Sequence, residues 1–246
     1  LYSFGVKLSF KENYKICLIG MAMIVTPGGA GMLIKSHYLK NKHKIPISKT
    51  TAIVFAERYH DFLAATTILI ISLIVTYHTE SVLSVIISSA LLISIYVIMK
   101  NKFLAKKVLY QACKIKLFRK IVPDTESLEI SKNPLVNSKM MFAGWMISAI
   151  MWTLDAVAIY LAFLTFNLDI GFFEAVQVFF TALIYGTISF LPAGIGVTEG
   201  IFIKMLLNNG IVLETASALI LFIRLTTIWF VTFLGFLSFR FFLKNN

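Results

Sequence analysis

The amino-acid sequence predicts an all-α polytopic integral membrane protein, on the evidence of its composition and of the lengths of its apolar segments. Of 246 residues, 58% are hydrophobic and 14% are charged, and the mean hydropathy is +0.83. Soluble domains are nearer half apolar and a quarter charged, and a chain of this length cannot hide so much apolar surface from water. The same numbers exclude disordered chains, fibrous repeats and disulfide scaffolds.

Three or four apolar segments are long enough to span a bilayer as helices, at about 20 residues per crossing. They cover approximately 51–76, 82–99, 140–166 and 211–239. A further segment, 172–191, runs directly into a Pro–Gly break, and the shorter segment 14–26 does the same. Because the sequence begins with Leu1 rather than Met, we leave open whether further spans precede it.

The two Pro–Gly breaks have similar sequences and similar surroundings. The first reads TPGGAG over 26–31 and the second reads LPAGIG over 191–196. Pro27 precedes Arg58 by 31 residues and Pro192 precedes Arg224 by 32, and both arginines lie in apolar helices that follow a polar turn. The sequence therefore predicts an internal duplication within one transmembrane domain, with repeats over about 14–76 and 172–239.

The distribution of Lys and Arg predicts how the two repeats are oriented in the plasma membrane. If each break is the tip of a re-entrant hairpin, every Lys and Arg except Arg58, Lys204 and Arg224 lies on one side, which is then cytoplasmic. The first hairpin opens to the cytoplasm and the second to the outside, so the repeats are inverted. Hairpin arms that cross completely give the same sidedness. The arm over 28–38 reaches only ~17 Å, short of a ~30 Å core, which favours re-entrant hairpins.

The segment 100–139 differs from the rest of the chain. Up to about residue 120 it mixes basic and apolar residues at helical spacing, and a polar linker with Pro123 and Pro134 follows. An amphipathic helix on the cytoplasmic face explains the first part. Its charge fits either a solvated positive-inside loop or a site for lipid headgroups. With a net charge of +11, we expect membranes with anionic lipids as partners rather than nucleic acid.

Charged residues within the apolar helices are candidates for function, because each costs roughly 2.5–3.5 kcal/mol to insert. The spacing of Glu57, Arg58 and Asp61 lets both Glu57 and Arg58 face Asp61. These residues form either a self-neutralising cluster that pins the helix or a site at which Arg58 holds an anionic headgroup. In the second repeat, we predict that Arg224 pairs with Glu199.

The glycine-rich breaks have properties that suit anion binding. Gly permits unusual dihedral angles and close backbone approach, and a helix that begins at membrane depth presents free N–H groups with a partial positive charge. A tight hairpin tip that only packs on its neighbours is the structural alternative. The candidate substrate-binding residues are Pro27, Gly28, Gly29, Gly31, Lys35, Glu57, Arg58, Asp61, Asp155, Pro192, Gly194, Gly196, Glu199 and Arg224.

Sequence signatures of enzymes are absent. The chain has no HExxH, no GxxxxGK[ST] and no GxSxG, and we expect no metal, no cofactor and no catalytic residue. Cys17 and Cys113 show no metal or redox spacing. A membrane-embedded transferase remains an alternative and would need a base at the cavity, such as Asp155 with His60. A non-transporting accessory subunit is the other alternative.

Four stretches resemble a known family: PGGAGMLIK, PISKTTAIVFAERYHDFLA, LPAGIGVTEG and ALILFIRLTTIW. They resemble the lysylphosphatidylglycerol synthase transmembrane region, a flippase-like family that includes the membrane half of MprF-type proteins, over about 14–239. The resemblance implies re-entrant helices, inverted repeats and movement of aminoacylated phosphatidylglycerol between leaflets. It also implies a homodimer and, as partner, a lipid-modifying or glycosylation enzyme, because some members are fused to proteins of polyprenol-linked glycosylation.

Three positions depart from the family pattern. Met32 stands where Glu is frequent, Lys35 where Arg is frequent, and Ala193 where Gly is frequent. No soluble synthase domain is expected here, so lysyl transfer is not expected either. The sequence thus predicts a translocase for an anionic or aminoacylated phospholipid of the phosphatidylglycerol type, or for a polyprenyl-phosphate-linked lipid. The driving force stays open between a lipid gradient and protons carried by Glu57, Asp61 or Glu199.

Overall fold

The computed structural model describes residues 8–26, 31, 34–77, 79–101 and 137–244, together with the single positions 103, 104, 107 and 111. In chain order the helices are α1 (Phe10–Met21), α2 (Ile34–His43), α3 (Ile47–Thr76), α4 (Val82–Lys100), α5 (Ser138–Thr165), α6 (Phe172–Ile188), α7 (Val197–Asn208), α8 (Leu213–Arg224) and α9 (Phe230–Lys244). A 3₁₀ turn over Thr79–Ser81 precedes α4, and a π-helical turn over Leu225–Trp229 joins α8 to α9.

The all-α membrane architecture predicted from composition is confirmed. Within the described residues, three helical segments are long and apolar enough to cross a bilayer: Ile53–Thr76, Ser138–Thr165 and Leu213–Ser238. Two shorter apolar helices, Val82–Ile98 and Phe172–Ile188, accompany them. The predicted span over 82–99 therefore forms a helix at the expected place, at the short end of what a crossing requires.

Local sequence explains where the long helices begin and end. Pro46 precedes the first residue of α3, where its fixed φ suits helix entry, so α3 starts earlier than the apolar pattern predicts. At the other end of α3, Tyr77 adopts a left-handed conformation with φ of 57°, which terminates the helix. The side chain of Asn137 caps α5 by accepting hydrogen bonds from the Lys139 and Met140 amides at 3.1 and 3.5 Å.

The main core lies in the second half of the chain. Helix α3 packs against α5 and α6, α6 packs against α7, and α7 packs against α8. The fully buried rings of Phe163, Phe180 and Phe202 come from α5, α6 and α7, and Phe163 meets Phe202 edge-on at 5.9 Å between centroids. Aromatic contacts of this kind hold the second hairpin, α6–α7, firmly against α5.

The outer surface is apolar. On α5, for example, Ile147, Leu154 and Leu161 are 65%, 62% and 55% exposed, whereas residues on the opposite face are buried. In water such a surface would drive aggregation, but in a bilayer it meets acyl chains. The exposed apolar belt therefore marks the lipid-facing side of the bundle and leaves the inner faces to position the charged groups.

The helices that flank the two breaks are short. At 1.5 Å per residue, α1 and α2, of 12 and 10 residues, reach about 18 and 15 Å, and α6 and α7, of 17 and 12 residues, reach about 26 and 18 Å. All four fall below the ~30 Å hydrocarbon core. Helix α9 closes the bundle against α1, where Gly235 lies directly on the backbone of Ala22.

Candidate functional site

The first charged cluster joins α2 to α3. Lys35 Nζ lies 3.2 Å from Glu57 Oε2, and the two side chains are 10% and 43% exposed. The lysine side chain crosses α1 at Gly20, where any β-carbon would overlap Lys35 Cε. A glycine at this position of α1 thus permits Lys35 to reach Glu57. The resulting ion pair ties the helix after the first break to the long helix α3.

The same cluster contains a second ion pair on α3 itself. Arg58 Nη2 lies 2.8 Å from Asp61 Oδ2, and Ser148 of α5 donates a hydrogen bond of 2.8 Å to Asp61 Oδ1. The predicted pairing of Arg58 with Asp61 is confirmed. Glu57 forms its salt bridge with Lys35 instead of sharing a partner with Asp61. Arg58 Nε has no hydrogen-bond partner, and 41% of the side chain is exposed.

The second break has the unusual backbone that its sequence predicts. Gly194 and Gly196 have φ of 67° and 85°, and the non-glycine residues Phe190 and Ala193 also have positive φ, at 55° and 52°. Two tight turns follow each other, with Gly194 N bonded to Leu191 O at 3.0 Å and Ile195 N bonded to the next carbonyl, of Pro192, at 3.0 Å. The chain reverses within these residues and enters α7 at Gly196.

Helices α6 and α7 meet in a contact that only glycine allows. A β-carbon on Gly186 would overlap the hydroxyl of Thr198, which is 1% exposed. A β-carbon on Gly194 would lie 2.9 Å from Gly186 Cα. Because the backbone of α6 and the turn before α7 touch directly, the entrance to α7 is held in a defined place. Gly186 and Thr198 were not among the predicted site residues.

Glu199 and Arg224 form the second charged cluster, as predicted. Arg224 Nε of α8 lies 2.6 Å from Glu199 Oε1, and the two side chains are 7% and 23% exposed. The second carboxylate oxygen of Glu199 accepts a hydrogen bond of 2.6 Å from the Gly196 amide. Arg224 Nη2 is buried and has no hydrogen-bond partner. One carboxylate therefore bridges the arginine and the backbone at the start of α7.

A π-helical turn follows Arg224 directly. It covers Leu225–Trp229, and Thr227 within it stands three residues after Arg224, as Asp61 stands three residues after Arg58. The Thr227 hydroxyl donates to Ile223 O of its own helix at 2.6 Å. Arg224 thus has no acid on its own helix at the equivalent position and takes its partner from α7. Single π-helical turns are frequent at functional sites, where they displace side chains from regular register.

The two clusters match in the elements that they connect. Lys35–Glu57 joins the helix after the first break to the next helix, and Glu199–Arg224 does the same after the second break. The signs are exchanged: the first break is followed by the cation and the second by the anion. The sequence predicted the pair in the second half but not the salt bridge of Lys35 in the first.

The remaining predicted site residues have different outcomes. Asp155 is exposed on α5, whose inward face carries Ala156 and Ile159, so this acid does not join either cluster. His60 is buried on α3, and its imidazole lies where a β-carbon on Gly144 of α5 would be. No hydrogen bond joins His60 to Asp155 in the described part of the chain, so the pair required by the transferase alternative is not assembled.

The first break is described in part. Gly31 donates a hydrogen bond of 2.6 Å from its amide to Thr26 Oγ1, and the Thr26 hydroxyl donates to Met23 O at 2.8 Å. The predicted residues Pro27, Gly28 and Gly29 lie outside the described residues, as do most of the predicted amphipathic segment over 100–139 and Cys113.

A buried network of hydroxyl and amide groups was missed by sequence reasoning. At the end of α3, Ser72 donates to Phe173 O at 2.7 Å, and Thr76 bonds to Gln177 of α6. Ser81 accepts from Gln177 Nε2 and from Thr181 Oγ1, both at 2.8 Å. The network joins the C-terminal end of α3 to the beginning of α6. Polar residues at helical spacing in apolar segments were its only signal, and such residues are common at membrane helix contacts.

Comparisons with known proteins identify the family of this chain. The family model described as "Lysylphosphatidylglycerol synthase TM region" matches residues 1–235. A UPF0104 membrane protein of Pyrococcus horikoshii is 26% identical over 94% of this chain and 77% of its own length. UPF0104 membrane proteins of Methanothermobacter thermautotrophicus and Methanocaldococcus jannaschii are each 24% identical, over 94% and 95% of this chain and 75% of theirs. No solved structure matches. Because the family model covers nearly the whole chain, the protein belongs to the family of the lysylphosphatidylglycerol synthase transmembrane region.

Proposed function

We propose that this protein is a lipid translocase that moves an anionic or aminoacylated phospholipid of the phosphatidylglycerol type, or a polyprenyl-phosphate-linked lipid, between leaflets. The observation that carries the proposal is the Arg224 site: a buried guanidinium with a free Nη2 beside a Pro–Gly break in an apolar bundle. Charges at membrane depth are costly and are kept where they serve a pathway or a ligand. A planar guanidinium is well suited to phosphate.

The first cluster supplies the second cation of the proposed path. The Arg58 side chain is 41% exposed, so it can meet a headgroup while its Nη2 is held by Asp61. Lys35 of α2 pairs with Glu57, which stands next to Arg58 on α3. The headgroup contacts Arg58 in one half of the transport cycle and Arg224 in the other, while the acyl or prenyl chains remain in the bilayer.

The proposal includes an inverted repeat with two re-entrant hairpins. Three observations support it: short helices flank both breaks, salt bridges link the corresponding helices, and the signs of these salt bridges are exchanged. Transporters of many folds place their substrates at discontinuous helices between inverted repeats. We place the Lys-rich segments 35–49 and 100–139 on the cytoplasmic side of the plasma membrane, following the positive-inside rule. A homodimer and a lipid-modifying or glycosylation enzyme are the partners that we propose from the family.

Leaflet exchange in liposomes tests the proposal. The purified protein is reconstituted with fluorescent phosphatidylglycerol, its lysyl derivative or a fluorescent polyprenyl phosphate, and exchange is followed by dithionite quenching. We expect rapid exchange of at least one lipid, with loss of exchange in Arg58→Ala and in Arg224→Lys. The lysine variant keeps a cation beside Glu199 but removes the free Nη2 donor. Arg240→Ala is the matched control, because Arg240 is an exposed arginine of α9.

The outcomes separate the candidate functions. Exchange that is lost in both site variants and kept in Arg240→Ala establishes a translocase and names its lipid. Unchanged exchange in both site variants contradicts the assignment of the site. No exchange of any lipid by folded protein contradicts the translocase itself and favours an accessory subunit.

A further inference from the structure

The Glu199 carboxylate holds two groups that an anionic headgroup would need. One oxygen lies 2.6 Å from Arg224 Nε, and the other accepts from the Gly196 amide at 2.6 Å. A phosphate or a carboxylate of a ligand seeks the same donors: a guanidinium and a backbone N–H at the start of a helix. Glu199 therefore has the position and the charge of a bound anion.

The site also contains a donor that Glu199 does not use. Arg224 Nη2 has no hydrogen-bond partner although the residue is only 6% exposed. A buried guanidinium nitrogen without an acceptor is costly, and buried polar groups nearly always find one. A lipid phosphodiester is larger than a carboxylate, and its two non-bridging oxygens, each with several lone pairs, would reach Nε, Nη2 and the Gly196 amide together. The unused Nη2 donor of Arg224 thus fits a phosphate in place of Glu199.

We propose that Glu199 is the proton carrier of this site and that each lipid anion binds at Arg224 together with one proton, which Glu199 takes up; this rests on the translocase function proposed above. In the absence of lipid, ionised Glu199 occupies the site. When the lipid phosphate arrives, one proton from water binds to the carboxylate, the neutral acid leaves Arg224 and the Gly196 amide, and the phosphate takes both donors. Release of the lipid on the other side returns the proton to water, and Glu199 closes the site again.

Coupling of this kind makes the transported species electrically neutral. A lipid with one phosphodiester carries one negative charge, and the proton on Glu199 cancels it while the site is occupied. An uncompensated charge would have to cross against or along the membrane potential. Exchange of a bound carboxylate for a bound phosphate keeps the buried guanidinium neutralised at every stage, which is the condition for a charge in a dry interior.

The neighbouring charges leave Arg224 as the counter-ion of Glu199. Helix α8, of 12 residues, presents Arg224 at its last turn and Glu214 at its first turn. Helix α6 carries Glu174 at its far end and Tyr185 near the break, and α7 itself carries Lys204, which is exposed. From α5, Asp155 is exposed. In the described residues, Arg224 is the cation that pairs with Glu199.

Proton uptake on anion binding tests the proposal directly. The purified full chain in detergent is titrated with dihexanoyl-phosphatidylglycerol by calorimetry in two buffers of different ionisation enthalpy, which gives the number of protons taken up. We expect about one proton per bound lipid for the native protein and none for Glu199→Gln. Glutamine retains an acceptor for the Gly196 amide, so the hairpin keeps its cap. Glu214→Gln, which removes an exposed carboxylate of α8, should behave as the native protein does.

Transport in liposomes gives the second readout. Native exchange should accelerate as pH falls, by up to about tenfold per pH unit for one coupled proton, and an imposed pH gradient should bias the final lipid distribution. Glu199→Gln should exchange lipid at a rate that no longer responds to pH or to the gradient. Samples are returned to one pH before dithionite is added, so that the quencher itself does not vary.

The two readouts keep the two proposals apart. Exchange that is unaffected by pH in the native protein, or equally affected in Glu199→Gln, overturns the proton coupling and leaves the translocase standing. Proton uptake of zero in the native protein also overturns the coupling. If neither protein exchanges lipid while proton uptake differs as expected, the anion site at Glu199 stands and the translocase is contradicted. No binding and no exchange overturns both.

Discussion

The two charged clusters each join the helix after a break to the following helix, but they differ in how they are built. In the second half, Arg224 is buried, its partner comes from another helix, and that carboxylate also caps the start of its own helix, α7. In the first half, Arg58 is 41% exposed and pairs with Asp61 one turn along its own helix. The difference indicates that the second cluster is part of the fold, whereas the first is open to its surroundings. Similar residues at matched sequence positions therefore need not have similar energetic roles.

Removal of each arginine should give the largest contrast between the halves. Arg224→Ala leaves Glu199 without its counter-ion in a largely buried site and should cost about 3–5 kcal/mol of stability. Arg58→Ala should cost about 1 kcal/mol or less, since its pair lies within one helix and Asp61 keeps the hydrogen bond from Ser148. Thermal unfolding of the two variants in the same detergent, followed by tryptophan fluorescence, measures both. Equal destabilisation would remove the distinction drawn between the clusters.

The glycine contact within the second hairpin should give the next largest effect on stability. Gly186→Ala forces a methyl group onto the buried Thr198 hydroxyl, and the overpacking should cost about 1–3 kcal/mol. The double variant Gly186→Ala with Thr198→Ala should recover part of that loss, because it makes room where the methyl group would sit. Chemical denaturation in mixed micelles compares the four proteins. Additive losses would show that the two side chains do not meet.

The corresponding glycine of the first half should be less sensitive. Gly20→Ala displaces the flexible end of Lys35 rather than backbone, so we expect a cost of about 1 kcal/mol and weakening of the Lys35–Glu57 salt bridge. In the Glu57→Gln background the same substitution should cost less, because the salt bridge is already gone. A loss for Gly20→Ala as large as that for Gly186→Ala would contradict this difference between the halves.

Ala193 should give the smallest effect, and in the favourable direction. Its φ of 52° is left-handed, which costs an L-residue roughly 1–2 kcal/mol, while glycine adds entropy to the unfolded chain. Ala193→Gly should therefore raise stability by up to about 1 kcal/mol, and Ala193→Val should lower it. Unfolding midpoints of the three proteins check the order. The first break offers no comparable substitution among the described residues.

Sequence patterns predicted those features that depend on composition and on matched spacing. The apolar segments gave the long helices, and the alignment of the two breaks gave the Arg224–Glu199 pair, which the structure confirms. The comparison of the two breaks succeeded because a buried guanidinium must have a counter-ion. In the sequence, Glu199 is the acid that follows the second break at the right distance. The family resemblance is likewise confirmed by the match over residues 1–235.

Features that depend on packing between distant segments could not be predicted. Glu57 pairs with Lys35 and not with a partner shared with Asp61, because α1 and α2 cross at this place. Ser148, which bonds to Asp61, lies 87 residues away in the sequence. The exposure of Asp155 depends on which face α5 turns inward, and an apolar helix has no periodic pattern that reveals this. Pro27, Gly28 and Gly29 remain predictions.

The hydroxyl network at the C-terminal end of α3 has a mechanical consequence. It fastens the first turns of α6 to α3 and to Ser81 with several short hydrogen bonds. At the other end of α6, Gly186 lies directly against Thr198 of α7. Because both ends of α6 are held by close contacts, we expect α3, α6 and α7 to move as one rigid body in any conformational change of the protein.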